Sequence, residues 1–515
     1  MSRRGTERGG AEGRRAKRDI GRLKQLPFRQ VTNPYPPMEI VSAEQIEAIH
    51  RASLDALQEI GMNFLLPEAR EILKAAGAEV AADGPRVRFD RHLIEEKIKT
   101  APAVFRMHAR NPDHDLTFGG NHMNFCSVGS PPNASDIEGG RRPGNFADYC
   151  DLLRLTQSLN IAHLSGGYPV EPTDIEPDIR HLRAVGTLLK LTDKVGFGYS
   201  LGRRRILDAI EMTRIARGIS EERMLAEPSL YTVVNANSPL QYDRPMLWGM
   251  IEMARRNQPI VITPFTLAGA MAPVTIAGAL AQQNAEALAG IAFCQIVNPG
   301  APVFYGGFTS NVDMKTGAPA FGTPEYAKAV LIGGQLARRY AVPYRSSNVN
   351  ASNHPDVQAA YESQISTWAV MLAHTHMVKH ALGWLEGGLC ASFEKVIIDA
   401  EILQNVAEFL RPVEITDATL GLEAMRDVGP AGHYFGTAHT LERFETAFYQ
   451  PILSDWRNFE TWSEDGAVDA THRAHRIYKE ILADYQEPPM DPAVAEELDA
   501  FVERRIRDGG ATAEA

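Results

Sequence analysis

Val303-Phe-Tyr-Gly-Gly-Phe308 is a short apolar run that breaks on two glycines and an aromatic ring. The pattern recurs outward from it in both directions: Ser165-Gly-Gly-Tyr168, Gly196-Phe-Gly-Tyr199, Asn235-Ala-Asn237, Pro264-Phe265 and Gly383-Trp-Leu-Glu386 each close an apolar run. Runs of strand length, separated by longer amphipathic stretches, read as buried strands alternating with helices, the arrangement that builds a parallel sheet. Candidate strands begin near Met123, Ile161, Val195, Leu230, Ile260, Val303, Pro343 and Met377. Eight parallel strands can close on themselves, and the span from residue 121 to 410 is near the ~250 residues such a domain takes. No GxGxxG follows a candidate strand, so an open doubly wound sheet has less support. The expected fold class is α/β, a (β/α)8 TIM barrel with an N-terminal α/β cap and a C-terminal helical extension.

The flanks read differently. Residues 1–25 carry nine Lys/Arg against three Asp/Glu and no apolar core segment, so a basic, disordered tail is expected there rather than a secretory signal. Residues 26–120 form the cap: Ile46, Ile49, Leu54, Leu57 and Ile60 recur at helical spacing, and Gly84-Pro-Arg-Val-Arg-Phe89 reads as a strand. Residues 411–515 hold helices and the loop Gly429-Pro-Ala-Gly-His-Tyr-Phe-Gly436. The net charge is −11, and with about +6 in the tail the rest carries about −17, which argues against a nucleic-acid partner. No run approaches the roughly 18 apolar residues of a membrane helix. Cys126, Cys150, Cys294 and Cys390 are far apart in sequence with no CxxC, which fits buried thiols in a reducing cytoplasm, Cys390 lining a cavity at most.

In a parallel barrel the C-terminal strand ends and the loops after them build the active site. Tyr168, Phe197, Tyr199, Phe265, Tyr305, Phe308, Tyr344 and Trp384 gather at those ends. Aromatic faces attract cations, and a cage of them holds a quaternary ammonium, which offers no hydrogen-bond donor. Any one ring could equally pack the barrel top; the expectation concerns three or four of them together. A betaine also carries a carboxylate, for which Arg345 and His354 are the candidates in the Ser/Asn-rich stretch Tyr344 to His354. Glu386 stands beside Trp384, where its charge could balance a bound cation. His374, His376 and His380 suggest zinc only loosely, without HExxH, and no metal is expected. No GxSxG, P-loop or catalytic triad pattern is present. A metal-dependent barrel enzyme and a non-catalytic betaine-binding protein are the rival readings.

Asp313-Met-Lys-Thr-Gly-Ala-Pro319, Gly322-Thr-Pro-Glu325, Asp356-Val-Gln-Ala-Ala-Tyr-Glu362, Gly383-Trp-Leu-Glu-Gly-Gly-Leu389, Ser392-Phe-Glu394 and Asp399-Ala-Glu401 resemble, in order, the trimethylamine methyltransferase family. Gly432-His-Tyr-Phe-Gly436 and His439-Thr-Leu441 continue the likeness, which runs from about residue 40 to 490. The resemblance implies a barrel that passes a methyl group from an amine to the cobalt of a corrinoid carried on a separate protein, with no cofactor held tightly by the chain itself. Founding members use pyrrolysine. The loop from Asn348 to Asp356, where it would fall, holds Ser, Asn and His354 instead, which implies the branch without pyrrolysine and a quaternary amine such as glycine betaine as substrate. In that reading Glu386 and His354 are catalytic, the eight rings and Arg345 bind substrate, and Asp313, Glu325 and Glu362 support them. His433 and His439 match late motifs of unassigned role. Barrels of this size commonly associate, so a homo-oligomer is expected.

Overall fold

A computed structural model describes residue 23 and residues 25–512. The basic tail expected over residues 1–25 lies, apart from residues 23 and 25, outside the described residues. Seven parallel strands form the central sheet: β1 (His122–Ser127), β2 (Gly196–Phe197), β3 (Leu230–Val234), β4 (Ile260–Ile262), β5 (Val303–Gly306), β6 (Tyr344–Ser347) and β7 (Met377–Leu382). Their order is β1-β7-β6-β5-β4-β3-β2, and Val31–Thr32 adds antiparallel to the far side of β1. The sheet curls. Its two ends are linked by single-residue parallel bridges from Leu164 to Cys126 and to Val195. The α/β alternation is therefore as expected, and these seven strands start within one residue of their expected positions. The run expected near Ile161 contributes only Leu164, because Ser165-Gly-Gly167 turns the chain away.

Strand follows helix around the outside: α1 (Phe146–Ser158), α2 (Pro177–Leu191), α3 (Arg203–Ala216), α4 (Arg244–Arg255), α5 (Ile276–Val297), α6 (Pro324–Tyr340), α7 (Val357–Leu372) and α8 (Phe393–Phe409). Their starts carry the residues that satisfy orphan N–H groups: Asn145, Asp243, Thr275, Thr323, Asp356 and Ser392 each accept from the first turn. α5 is apolar round most of its circumference because it lies between the sheet and the N-terminal helices Ala43–Asp55 and Arg91–Ile98. Inside the curl, Cys126, Leu164, Val195, Phe197, Tyr231, Val261, Phe304 and Met377 form one buried layer, with the hairpin Phe105–Met107/Leu116–Phe118 packed beneath it. Full burial of such a side chain is worth about 1.5–3 kcal/mol, so this layer fixes the curl. After α8, two further helices, α9 (Ala470–Asp484) and α10 (Pro492–Arg507), return to pack on α8 and on α2 with α3. Among the described residues no helix is long and apolar enough to cross a membrane.

His163, fully buried beside Leu164, is held neutral: the Phe125 N–H donates to Nδ1 at 2.9 Å and Nε2 meets the Arg29 carbonyl at 3.0 Å. Burial, with Lys194 nearby, pulls its pKa down to about 3. The unfolded chain therefore takes up this proton first. Stability is lost as pH falls from about 6.5, and the loss is complete only near the folded value. We expect the melting temperature to drop between pH 6.5 and about 5, where carboxylates stay ionised, and a His163→Gln variant to show a flatter profile over that window.

Candidate active site

Two neighbouring strands, β6 and β7, bring two cations into the interior. Arg345, on β6, is 2% exposed; its Nη1 donates to Thr263 Oγ1 at 2.9 Å and its guanidinium lies 5.1 Å from the Phe308 ring centre. Lys379, on β7, is 3% exposed; its Nζ donates to the Gly166 carbonyl and to Tyr231 Oη, and lies 4.9 Å from the Phe197 ring centre. Neither has a carboxylate within ion-pair distance among the described residues. Burial, their largest perturbation, pulls Arg345 down to about 10 and Lys379 to about 7. Gly166 must be glycine for this packing, since a Cβ there would meet the Ser127 carbonyl at 1.8 Å.

His380 completes the group. The pairing of β7 with β1 shifts register between Val378 and Leu382, and His380 takes a left-handed backbone, φ +56°. Such bulges re-aim a side chain beside active sites, and a non-glycine residue held at positive φ marks local strain. Gly129 N–H donates to His380 Nδ1 at 3.3 Å, which leaves the ring proton on Nε2. Nε2 stands 3.4 Å from Arg345 Nη2, so two donors face each other. Arg345 Nε, also buried, has no partner among the described residues. Burial beside Lys379 and Arg345 holds the imidazole neutral, well below its usual range. Converging donors without an acceptor between them fit an anionic oxygen pair.

Aromatic rings stand on two sides of these donors. On one, Trp384 lies 4.4 Å from His380 between ring centres, Phe308 lies 5.1 Å from Phe265, and Phe321 lies 5.6 Å from Phe308 and 6.0 Å from Trp384. On the other, Tyr168 meets Tyr199 at 4.4 Å, Tyr199 meets Phe197 at 4.7 Å, and Phe197 meets Tyr231 at 5.1 Å. Six of the eight expected rings are thus at this place. Tyr305 and Tyr344 are not: Tyr305 Oη donates to Asn284 on α5, and Tyr344 Oη to the Val330 carbonyl on α6, so both rings fill the layer between sheet and helices. Phe321 and Tyr231 join the rings unannounced by the strand-end pattern, although Phe321 sits between two of the quoted motifs.

Trp384 is held in place from behind. Its indole N–H donates to the Asn350 carbonyl at 3.0 Å, and Asn350 Nδ2 donates to the Trp384 carbonyl at 2.7 Å. Gly388, at φ +102°, lets the indole lie close, since a Cβ there would come within 2.5 Å of it. Beneath runs a fully buried ion pair, Lys395–Asp399, whose carboxylate also accepts from the Gly383 N–H at 2.8 Å and from Asn348 Nδ2, while Lys395 Nζ donates to Ser363. Glu362 fastens the same loop by accepting from the Ala351 and Ser352 N–H groups at 2.8 and 3.0 Å.

The remaining expected residues make their described polar contacts away from the buried Arg345, Lys379 and His380. Glu386 pairs through both oxygens with Arg141 Nε, at 3.0 and 2.9 Å. His354 is exposed, its backbone N–H donating to Ser352 Oγ. Asp313 closes an exposed turn through Lys315 N, Thr316 N and Thr316 Oγ1. Glu325 occupies the first turn of α6, where a carboxylate complements the helix dipole. The three histidines diverge: His374 Nε2 meets the Tyr35 carbonyl, and His376 accepts from the Tyr344 N–H and meets the Gly120 carbonyl. Among the described residues no cluster of three or more His, Cys, Asp or Glu is arranged to hold a metal. All four cysteines are free; burial pushes the Cys126 and Cys390 thiols up to about 11 and raises Cys150 and Cys294 as well.

A family profile for trimethylamine methyltransferase (MTTB) matches residues 7–510. The chain belongs to this family. A glycine betaine methyltransferase of Desulfitobacterium hafniense (strain Y51) is 34% identical over 476 residues, 92% of this chain and 98% of that protein. The trimethylamine methyltransferase MttB of Desulfitobacterium hafniense (strain DSM 10664 / DCB-2) is 28% identical over 90% of this chain and 93% of its own. The crystal structure of the Methanosarcina barkeri monomethylamine methyltransferase aligns with a TM-score of 0.44 at 11% identity, covering 87% of this chain and 94% of that one. The stretches around Asp356, Gly383 and Asp399 that resemble the family coincide here with the loop and ion-pair network that hold Trp384.

Proposed function

We propose that the protein takes a methyl group from a small quaternary amine bearing a carboxylate, glycine betaine or a close relative, and passes it to the corrinoid of a partner protein. The observation that carries this is the facing of donors from Arg345 and His380 beside the Phe265/Phe308/Phe321/Trp384 rings. The donors suit the carboxylate and the rings suit the trimethylammonium, so one end of the substrate fixes the other. The relative named a glycine betaine methyltransferase agrees.

The chemistry needs little acid or base. A quaternary ammonium releases a neutral tertiary amine when its methyl carbon is attacked, so no residue has to protonate the leaving group. The chain's thiols are held protonated by burial, which makes them poor methyl acceptors and fits a nucleophile brought from outside. The reduced corrinoid of the partner supplies that nucleophile. The chain's own share is orientation and a dry, aromatic surround, which can lower a barrier by several kcal/mol through alignment alone. His354 is exposed and Glu386 is paired with Arg141, which supports assigning them to docking or loop placement. We further propose that the curled sheet closes, through Leu164, as a (β/α)8 barrel over residues 121–410, between a cap at 26–120 and the extension at 411–515, in a cytoplasmic protein whose free thiols suit that compartment.

The test is anaerobic: chain, reduced corrinoid and a panel of amines, following both the reduced-corrinoid absorbance and the demethylated product. Glycine betaine or a related betaine should discharge the absorbance with stoichiometric dimethylated amine. Consumption of trimethylamine alone, or of no amine, overturns the proposal. Trp384→Leu should raise KM about 2- to 30-fold with a smaller change in kcat, the range of a partly desolvated cation–π contact. A fall in kcat alone would remove Trp384 from substrate binding.

A further inference from the structure

Between the end of α8 and α9 the chain leaves the body of the molecule. Leu410 is buried in the core, and Tyr449, Ile452 and Leu453 return to it by donating to the Glu401 carboxylate on α8. Residues 412–448 in between contribute nothing to the main core cluster, and every hydrogen bond and ion pair described for them closes within the segment. Its helices, Asp417–Leu420, Leu422–Val428 and Ala438–Leu441, have four, seven and four residues. Isolated helices shorter than about 12–15 residues are marginal in water, so this segment needs a surface to order it.

The side chains it presents say what kind. Phe435 is 85% exposed, Val413 81%, Phe448 79% and Ile415 76%, with Phe444 and Leu441 also largely open. At ~150–250 Å² for each aromatic alone, the exposed apolar area is on the order of 1,000 Å². A stable interface takes about 800 Å² from each partner. A second apolar face lies on α7, where Val357, Tyr361 and Ile365 are exposed at four-residue spacing and so share one side of the helix.

We infer that residues 412–448 form an arm that packs on a second copy of this chain, reciprocally, with the α7 stripe as its seat. A segment that cannot order itself needs a partner present whenever the chain folds, and an identical chain is the partner always made alongside it. An arm and a seat on one chain also make the self-complementary pair that a twofold dimer requires. A carrier that docks and leaves at each turnover uses a smaller and more polar contact. This inference does not depend on which amine is the substrate.

Light scattering on the eluting full-length protein tests it. The wild type should elute at twice 56.7 kDa or a higher even multiple. Phe435→Ser/Phe448→Ser in the arm, and separately Tyr361→Ser/Ile365→Ser in the seat, should each shift it to the monomer mass. A third variant, with residues 413–447 replaced by a short Gly-Ser linker, should be monomeric with an unchanged far-ultraviolet spectrum, which separates loss of pairing from loss of folding. A wild type that is monomeric at micromolar concentration, or arm variants that remain paired, overturn the inference. So does an arm that proves necessary only for binding a corrinoid protein.

Discussion

Replacing Arg345 with methionine is expected to lower kcat/KM for glycine betaine by about two to three orders of magnitude. Hydrogen bonds to charged groups are worth ~1.5–3 kcal/mol each, and truncating one side of a buried charged pair costs ~2–5 kcal/mol. Two donors lost together therefore correspond to roughly 3–4 kcal/mol, at about 1.4 kcal/mol per tenfold. The decisive measurement is a ratio: a quaternary amine without a carboxylate, such as choline, should lose far less than glycine betaine. Equal losses on both would mean that Arg345 merely shapes the interior. Stability should move the other way. Arg345 is 2% exposed and, among the described residues, has no partner for Nε and no counter-charge, so an unbranched apolar side chain over Phe308 should leave the melting temperature unchanged or raised. Arg345→Lys keeps the charge but loses the planar fork, and should recover only part of the activity.

The second large effect concerns folding. Lys395→Met leaves Asp399 buried without its partner, and breaking a buried pair from one side costs about 3–5 kcal/mol. The melting temperature should fall accordingly. Lys395→Met with Asp399→Leu should recover much of it, because the uncompensated charge is then gone. The double variant should nonetheless turn over slowly. Asp399 also accepts from the Gly383 N–H and Asn348, and Lys395 donates to Ser363, so the loop that carries Asn350 and the segment that carries Trp384 both lose their floor. Hydrogen exchange over residues 348–356 should rise in the double variant while β3 to β5 stay protected. Equal exchange in both regions would show that the pair stabilises the whole sheet and has no special hold on the site.

Much of the site was legible because apolar rings at strand ends are visible without a structure. Phe265, Phe308 and Trp384 stand at strand ends of the curled sheet, beside Arg345, one of the two residues the sequence offers for a carboxylate. Lys379 carries no such signal, since a lysine two residues into a strand reads as an edge or surface position until the strand is known to be covered on both sides. In the residue order His380 groups only with His374 and His376, as a loose metal pattern. Its ring reaches Arg345 through an irregular pairing that no spacing announces. Glu386 was placed beside Trp384 by sequence adjacency, but a left-handed backbone, φ +54°, accompanies its turn toward Arg141.

The sequence by itself determined the alternation of elements and the strand starts, because four- to six-residue apolar runs bounded by Gly and Pro have few other ways to bury themselves. It also determined the family, through motifs spread over most of the chain. Only the tertiary structure decided which face each strand residue takes. Parallel strands covered on both sides are apolar throughout, so the alternation that would tell Phe304 inside from Tyr305 outside is silent in the residue types. It likewise decided that Arg345 and Lys379 have no carboxylate partner among the described residues, since contacts across strands are set by the curl of the sheet rather than by neighbours in the chain.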